Sequence, residues 1–485
     1  MCAECAVDPV LVEIVKQGEE GICVVCGAET MTASVEELAE PVLRAYNAFV
    51  KPADEVHDPD DESDNPHLVQ GGKSPNVILQ ELLECEPDAA NVFLEELSAL
   101  DWRSVKDGGD DLFAPDQYGY QLEPPVSDKY DRRWRAFERS VKHDGRFFND
   151  RQRLYLKRLF APLLRGELSG GRPPLVAIGA EGSIVTTAFR AREASDKNQR
   201  ARIYEQPARE MGPPPPHLRK QGRMNAAGIG VFYGSSDAQT CVAELRVPVG
   251  GAAIVGEFSF VRPVTILDLR QLEGSAVPPG MSWLQDDFAE QYTYATFMRR
   301  LHDLIRRPVL PDAESIDYLP TQIIAEYLAS LDEPRIDGLL FTSSQRAYPT
   351  RSEDDEALQT DGEGLNIVLF ARAAVVEGHD AAPIRRITDV RPYSVEDDET
   401  GWGLNDESVD YEPLPPPVPD EDDHDDGGMV LLDDGDSTLP SANGGFAPTL
   451  RITDDGLRVV HVKGVVYDIA ERDVGFLDDT EPPRF

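Results

Sequence analysis

The chain has 485 residues, 41% of them hydrophobic, with 89 acidic against 47 basic side chains and a formal net charge of −42. That is enough apolar material for two or three domains. The charge repels nucleic acid and anionic membranes unless a basic patch is hidden in the chain, so neither is an expected partner.

The first ten residues, MCAECAVDPV, have neither the basic n-region nor the apolar h-region of a signal peptide. No apolar run approaches the length of a membrane span. A cytoplasmic setting is therefore expected, and there cysteines rarely form structural disulfides. Cys2-x2-Cys5 and Cys23-x2-Cys26 are separated by seventeen residues. Each pair can turn two thiolates towards one metal, and two pairs complete a tetrahedral site. Residues 1–30 are therefore expected to form a structural zinc knuckle, with Gly27 in its tight turn. Four thiolates leave no open position for catalysis. Cys85 and Cys241 stand alone and read as buried thiols.

Residues 31–170 read as a helical domain. Ser34 and Glu37 form a capping box before a helix over 34–50. Apolar spacing continues over 75–100, and the segments 134–150 and 151–164 are also helical. His143 raises the question of a helical ribonuclease, which needs four to six residues between an Arg and its His. Three residues separate Arg139 from His143 and seven separate Arg135, so the spacing fails.

Residues 171–393 read as α+β. A strand pair is expected around Glu181-Gly182. Gly222–Arg246 then combines a Gly-Arg-x-Asn turn, the apolar run Val231-Phe232-Tyr233, and a helix carrying Glu244. Ser236 and Gln239 suggest a capping box for that helix. Further strands are expected at 254–260, 264–269, 336–341 and 365–371, with helices at 282–306 and from about 321 to 331. Residues 394–446 are acidic and Pro-rich, as in a disordered linker. Residues 447–485 read as a small β-rich segment, with a hairpin signal at Asp454-Asp455-Gly456.

Several polar residues in the α+β region stand out: Arg190 in Phe189-Arg190-Ala191-Arg192, Arg223 and Asn225 in the glycine turn, Tyr233, Glu244, and Ser343-Ser344 after an apolar strand. In this order, FRAR, GRMNAAGIGVFYGSSDAQTCVAELR, PTQIIAEYL, IDGLLFTSS and GEGLNIVLF resemble a RES domain, the family named for its Arg, Glu and Ser. Upstream, WRAFERSVKHDGRFFN resembles the helical HEPN/RES N-terminal domain. The resemblance implies an ADP-ribosyltransferase-like α+β fold and an NAD-degrading enzyme that cleaves the nicotinamide–ribose bond. Many such proteins are toxins of toxin–antitoxin pairs, so an antitoxin protein is an implied partner. Carried over by position, the catalytic residues are Arg190, Glu244 and Ser343, with Ser344 as a register alternative. Arg223, Asn225 and Tyr233 fall at substrate-binding positions. Met224 stands where many members carry an aromatic, and Phe189 where some carry Tyr.

Chemistry agrees with these roles. Arginine forks bind the phosphates of NAD bidentately. A carboxylate at Glu244 stabilises the oxocarbenium left when nicotinamide departs. Tyr233 can stack on the nicotinamide ring, and Ser343 can bond the ribose or amide. GIGVFYG is no dinucleotide fingerprint, because Gly228 and Gly230 lack the third glycine and the preceding strand. The acceptor can be water, phosphate or a macromolecule. The rival expectation is a non-catalytic module that only holds a nucleotide or a protein partner.

Overall fold

The computed structural model describes residues 1–53, 55–57, 68–106, 113, 119–125, 127–145, 149–168, 173–277, 281–307, 309–345, 362–392, 407–414 and 445–464. Most of the acidic 394–446 stretch, the C-terminal end of 447–485 and Arg146–Phe148 of the upstream match lie outside these residues. The chain divides into two compact units. One joins Met1–Pro173 to Gln271–Ile305; the other joins Pro174–Arg270 to Arg306–Phe485. Residues 271–305, read from sequence as part of one continuous domain, thus leave it for the N-terminal unit. No helix among the described residues is long and apolar enough to cross a membrane.

The N-terminal unit is mainly helical. Helix Val35–Phe49 begins with the expected capping box: the Ser34 hydroxyl and the Glu37 carboxylate each satisfy the other's backbone N–H. The 75–100 segment is two helices, Pro75–Leu83 and Pro87–Lys106. The break falls where Glu84 takes a left-handed conformation just before Pro87. Leu38, Val42, Tyr46, Leu79, Phe93 and Leu97 form the core, with Leu284 and Phe288 joining it. Phe288–Arg306 is the long inserted helix. Its Tyr294 hydroxyl donates to the Leu159 carbonyl at 2.6 Å, and Phe297 stacks on Tyr130 with centroids 5.6 Å apart. Those contacts explain why the insert folds with Lys129–Arg139 and Asp150–Leu164.

The second unit is built on an eight-stranded mixed sheet. Its strands are β1 (Leu175–Ile178), β2 (Thr187–Glu193), β3 (Phe232–Ser235), β4 (Ala252–Phe260), β5 (Val264–Asp268), β6 (Gly338–Thr342), β7 (Leu365–Leu369) and β8 (Leu450–His461). The spatial order is β8-β4-β2-β3-β7-β6-β5-β1. Only the β5–β6 pair is parallel. β1 and β2 were expected to pair around Glu181-Gly182. Instead β1 takes the edge beside β5, and β2 lies between β4 and β3. Each thereby buries an apolar row: Ile178, Ala188, Phe232, Ile254, Phe258, Ile266, Leu340 and Ile367 share one core.

Two C-terminal expectations also change. Residues 450–461 form no hairpin. They run as one edge strand against β4, with Leu450 opposite Phe260 and His461 opposite Ala252. The Asp454-Asp455-Gly456 signal falls in a bulge, where the register jumps between Gly256/Leu457 and Phe258/Ile452. Within the expected linker, Glu407–Pro413 is a strand paired antiparallel with Arg385–Pro392.

Candidate active site

The Gly222–Arg246 stretch lies wholly in the second unit. Its glycine turn is tightly closed. Gly222 and Asn225 exchange backbone bonds at 3.0 and 3.4 Å. The Asn225 amide donates to the carbonyls of Lys220, Ala226 and Ile229, at 3.0, 3.0 and 3.1 Å. Its oxygen accepts from the Tyr233 hydroxyl at 2.9 Å, and that hydroxyl accepts from the Met224 N–H at 2.8 Å. A Cβ at Gly222 would lie 2.7 Å from both the Asn225 oxygen and the Tyr233 hydroxyl, so only glycine fits. From helix Leu319–Ala329, Thr321 donates to the Arg223 carbonyl at 2.6 Å and Gln322 to the Gly222 carbonyl at 2.8 Å. Burial pushes the Tyr233 phenol above its ordinary range, so it serves as a neutral hydroxyl. Asn225 and Tyr233 thus spend their polar groups shaping the turn. Met224, marked as a departure beside the ribose, is buried at 2% exposure.

That turn presents Arg223. Its guanidinium lies 5.2 Å from the Tyr318 ring centroid, and Nη1 donates to the Arg307 carbonyl at 2.7 Å. Charges of Arg223 and Arg246 both act on the Tyr318 phenol, although its burial outweighs them and raises it. Arg246 lies two residues beyond Glu244, so the turn and the end of the Glu244 helix share one electrostatic neighbourhood.

Glu244 sits on helix Ala238–Leu245. The N-cap is Asp237, one residue later than the capping box proposed from sequence. Its carboxylate accepts from the Thr240 N–H and hydroxyl, both at 2.8 Å, and from the Gly364 N–H at 2.8 Å. Ser236 instead joins β7, accepting from the Leu365 N–H at 3.1 Å. The helix start is therefore tied to the residues preceding β7, which fixes where Glu244 projects.

Glu244 Oε1 accepts two hydrogen bonds, from the Ser343 hydroxyl at 2.6 Å and the Asn366 amide at 2.7 Å. Asn366 is held in turn, its oxygen accepting from Ser235 at 3.1 Å; the two residues stand opposite each other in the β3–β7 ladder. Ser343 is 1% exposed and continues the β6–β7 ladder through its N–H to the Gly364 carbonyl. The neighbouring Ser344 is exposed. Glu244 itself is exposed, and its second oxygen has no partner among the described residues. One oxygen is thus fixed and the other open to a ligand.

Arg190 lies on β2. Its guanidinium sits 5.0 Å from the Phe232 ring centroid, and Nη1 is buried without a hydrogen-bond partner among the described residues. Burial, and then the charge of Arg192, push its pKa well down. Guanidinium does not lose its proton in a protein, so this cost acts as a drive to take an anionic partner. Arg192 differs: its Nη2 donates to the Gly212 carbonyl at 2.7 Å.

Sequence reasoning missed Asn366, Asp237 and Tyr318. The motif GEGLNIVLF contains Asn366, but only the strand order brings it under Glu244.

In the other unit, Cys2, Cys5, Cys23 and Cys26 bring their sulfurs within 4.8 Å of one another. The Cys2–Cys26 and Cys5–Cys23 pairs lie at 3.7 and 3.8 Å. A tetrahedron of thiolates at about 2.3 Å from zinc has edges of about 3.8 Å, so the donor set fits a closed four-coordinate metal. Gly27 takes φ +73°, and its N–H closes the second knuckle onto the Cys23 carbonyl at 2.9 Å.

Residues 189–391 match the family model described as the RES domain. The match begins at the residue before Arg190 and includes the glycine turn, Glu244, Ser343 and Asn366. No curated protein and no solved structure matches the chain.

Proposed function

We propose that this protein cleaves the nicotinamide–ribose bond of NAD. The RES family is generally associated with NAD-related toxin activity, and its model covers every residue of the candidate site. The observation that carries the reading is the Glu244 carboxylate, one oxygen held by Ser343 and Asn366 and the other open. A carboxylate fixed in this way stabilises positive charge on a ribose as nicotinamide leaves. Its open oxygen can orient an attacking water or phosphate. Arg190 and Arg223 supply cations for the pyrophosphate. Asn225 and Tyr233 act as the scaffold of the Arg223 turn. Zinc at the four cysteines is structural in this reading, since a closed thiolate set offers no position to substrate. A role as the toxin of a toxin–antitoxin pair, restrained by an antitoxin protein, follows from the family association.

The test is nicotinamide release from NAD by the purified chain, beside Glu244→Ala. Release by the wild type and its loss in the variant are expected. A folded wild-type chain without turnover, in water or in phosphate buffer, would return the site to a nucleotide-holding role. Running both buffers also separates hydrolysis from phosphorolysis by the product formed.

A further inference from the structure

A cavity of about 310 Å³ lies in the second unit, and none of its lining residues belongs to the candidate active site. Three elements wall it: helix Lys197–Glu205 with Pro207 just beyond, the paired strands Arg385–Pro392 and Glu407–Pro413, and β8. The helix is tied to the first of those strands twice. The Ile387 N–H donates to the Glu205 carboxylate at 2.8 Å, and Lys197 pairs with Asp389. The volume is at the lower end of the range for small-molecule sites.

Ladder register sorts the side chains of the paired strands. Arg385 stands opposite Pro413, and Ile387 opposite Tyr411. Arg385, Ile387 and Tyr411 therefore share one face, the face that lines the cavity. Arg386, opposite Glu412, takes the other face. Val409 continues the apolar wall, and Ile452 and Leu457 of β8 complete it.

Arg385 is the one charged residue among the described lining residues. Its guanidinium lies 5.9 Å from the Tyr411 ring centroid, and its Nε is buried without a hydrogen-bond partner among the described residues. An arginine without a carboxylate is unexpected in a chain of net charge −42. Other cations on the walling elements follow that expectation: Lys197 pairs with Asp389, Arg451 with Glu377 and Arg458 with Glu257. A buried donor left unpaired is costly and rare, so an anion is the natural complement here. A single guanidinium among apolar walls is too little charge for a phosphorylated ligand. Its fork matches the two oxygens of one carboxylate.

We infer that this cavity binds a small monocarboxylic acid with an apolar body. Arg385 takes the carboxylate, and Ile387, Val409, Ile452 and Leu457 take the hydrocarbon.

The test is equilibrium dialysis of the full chain against radiolabelled octanoate at about 0.15 M salt, an ionic strength that screens loose surface attraction. Saturable binding of one octanoate per chain is expected. Arg385→Gln should weaken it about tenfold, the loss of a charged hydrogen-bond partner. Arg386→Ala removes the same charge from the opposite face and should leave binding unchanged. Val409→Trp fills the cavity and should abolish binding; melting curves confirm that each variant is folded. Acetate, which has the charge without the body, and octanamide, which has the body without the charge, should both compete far more weakly than octanoate. Absence of saturable binding overturns the site, as does unaltered binding in folded Arg385→Gln or Val409→Trp. Equal loss in Arg386→Ala reduces the effect to general charge and overturns it as well. Octanamide competing as tightly as octanoate overturns the carboxylate contact, and acetate doing so overturns the apolar one. These readouts do not depend on whether the chain cleaves NAD.

Discussion

Ser343 donates to Glu244 across 2.6 Å, although the two residues are 99 positions apart. Asn366, 122 positions away, shares the same carboxylate oxygen at 2.7 Å. Glu244→Gln should lower the rate of nicotinamide release ~100-fold or more, as the loss of a charge-stabilising group does. Ser343→Ala should cost ~10-fold, mainly in kcat, because it frees the carboxylate without removing it. Steady-state kinetics on folded variants checks both. Asn366→Asp sets one carboxylate against another. It should lower both the melting temperature and turnover, where Ser343→Ala lowers chiefly turnover.

The glycine turn should betray its scaffolding in stability before activity. Tyr233→Phe removes the partner of the Met224 N–H and should destabilise the fold by ~1–3 kcal/mol. Asn225→Ala strips one buried side chain of four hydrogen bonds and should cost more. Urea unfolding measures both. Arg223→Ala, by contrast, should raise the KM for NAD with a smaller change in the unfolding midpoint.

Metal analysis of the purified chain should find about one zinc per molecule, and Cys23→Ser should abolish it. Ala6, beside the first cysteine pair, and Cys23 belong to the same buried cluster as Leu38 and Tyr46. Chelation should therefore lower the melting temperature of the N-terminal unit, because metal binding and folding are linked. An unchanged melting curve in strong chelator would argue for free thiols.

Cys241 offers a check on burial. Its thiol donates to the Phe189 carbonyl at 2.9 Å, and burial pushes its pKa up to about 11. At pH 8 roughly one molecule in a thousand then carries the thiolate, the reactive form. Iodoacetamide at that pH should leave Cys241 unmodified in the native chain and label it after denaturation, as read by peptide mass spectrometry.

Much of this was legible along the chain where the physics is local. The Ser34–Glu37 cap needs two residues three apart, and it forms as read. The strands at β4, β5 and β7 announce themselves by apolar runs containing Val and Ile, and β6 by the apolar run Leu339-Leu340-Phe341. Glu244 and Ser343 are found by ordered motifs. What stayed hidden depends on pairing between distant segments. The Ser236 cap gave way to Asp237 because Ser236 is wanted by Leu365, a partner no local window contains. Asn366 is one polar residue in an apolar strand until β3 is set beside it, with Ser235 directly opposite. The departure of residues 271–305 to the other unit follows from Tyr294 and Phe297 finding Leu159 and Tyr130, again beyond any local pattern.

The β4–β8 pairing has a kinetic meaning. Ser259 and Arg451 are paired across 192 residues of chain. β4 also pairs with β2, which carries Arg190. A ribosome releasing this protein must therefore add nearly two hundred residues after β4 before that strand gains its outer neighbour. Until then the strand holding the buried arginine is braced on one side by an unfinished edge. Such long-range closure is slow, so maturation of the sheet should lag behind the local helices and set the time at which a newly made chain becomes competent.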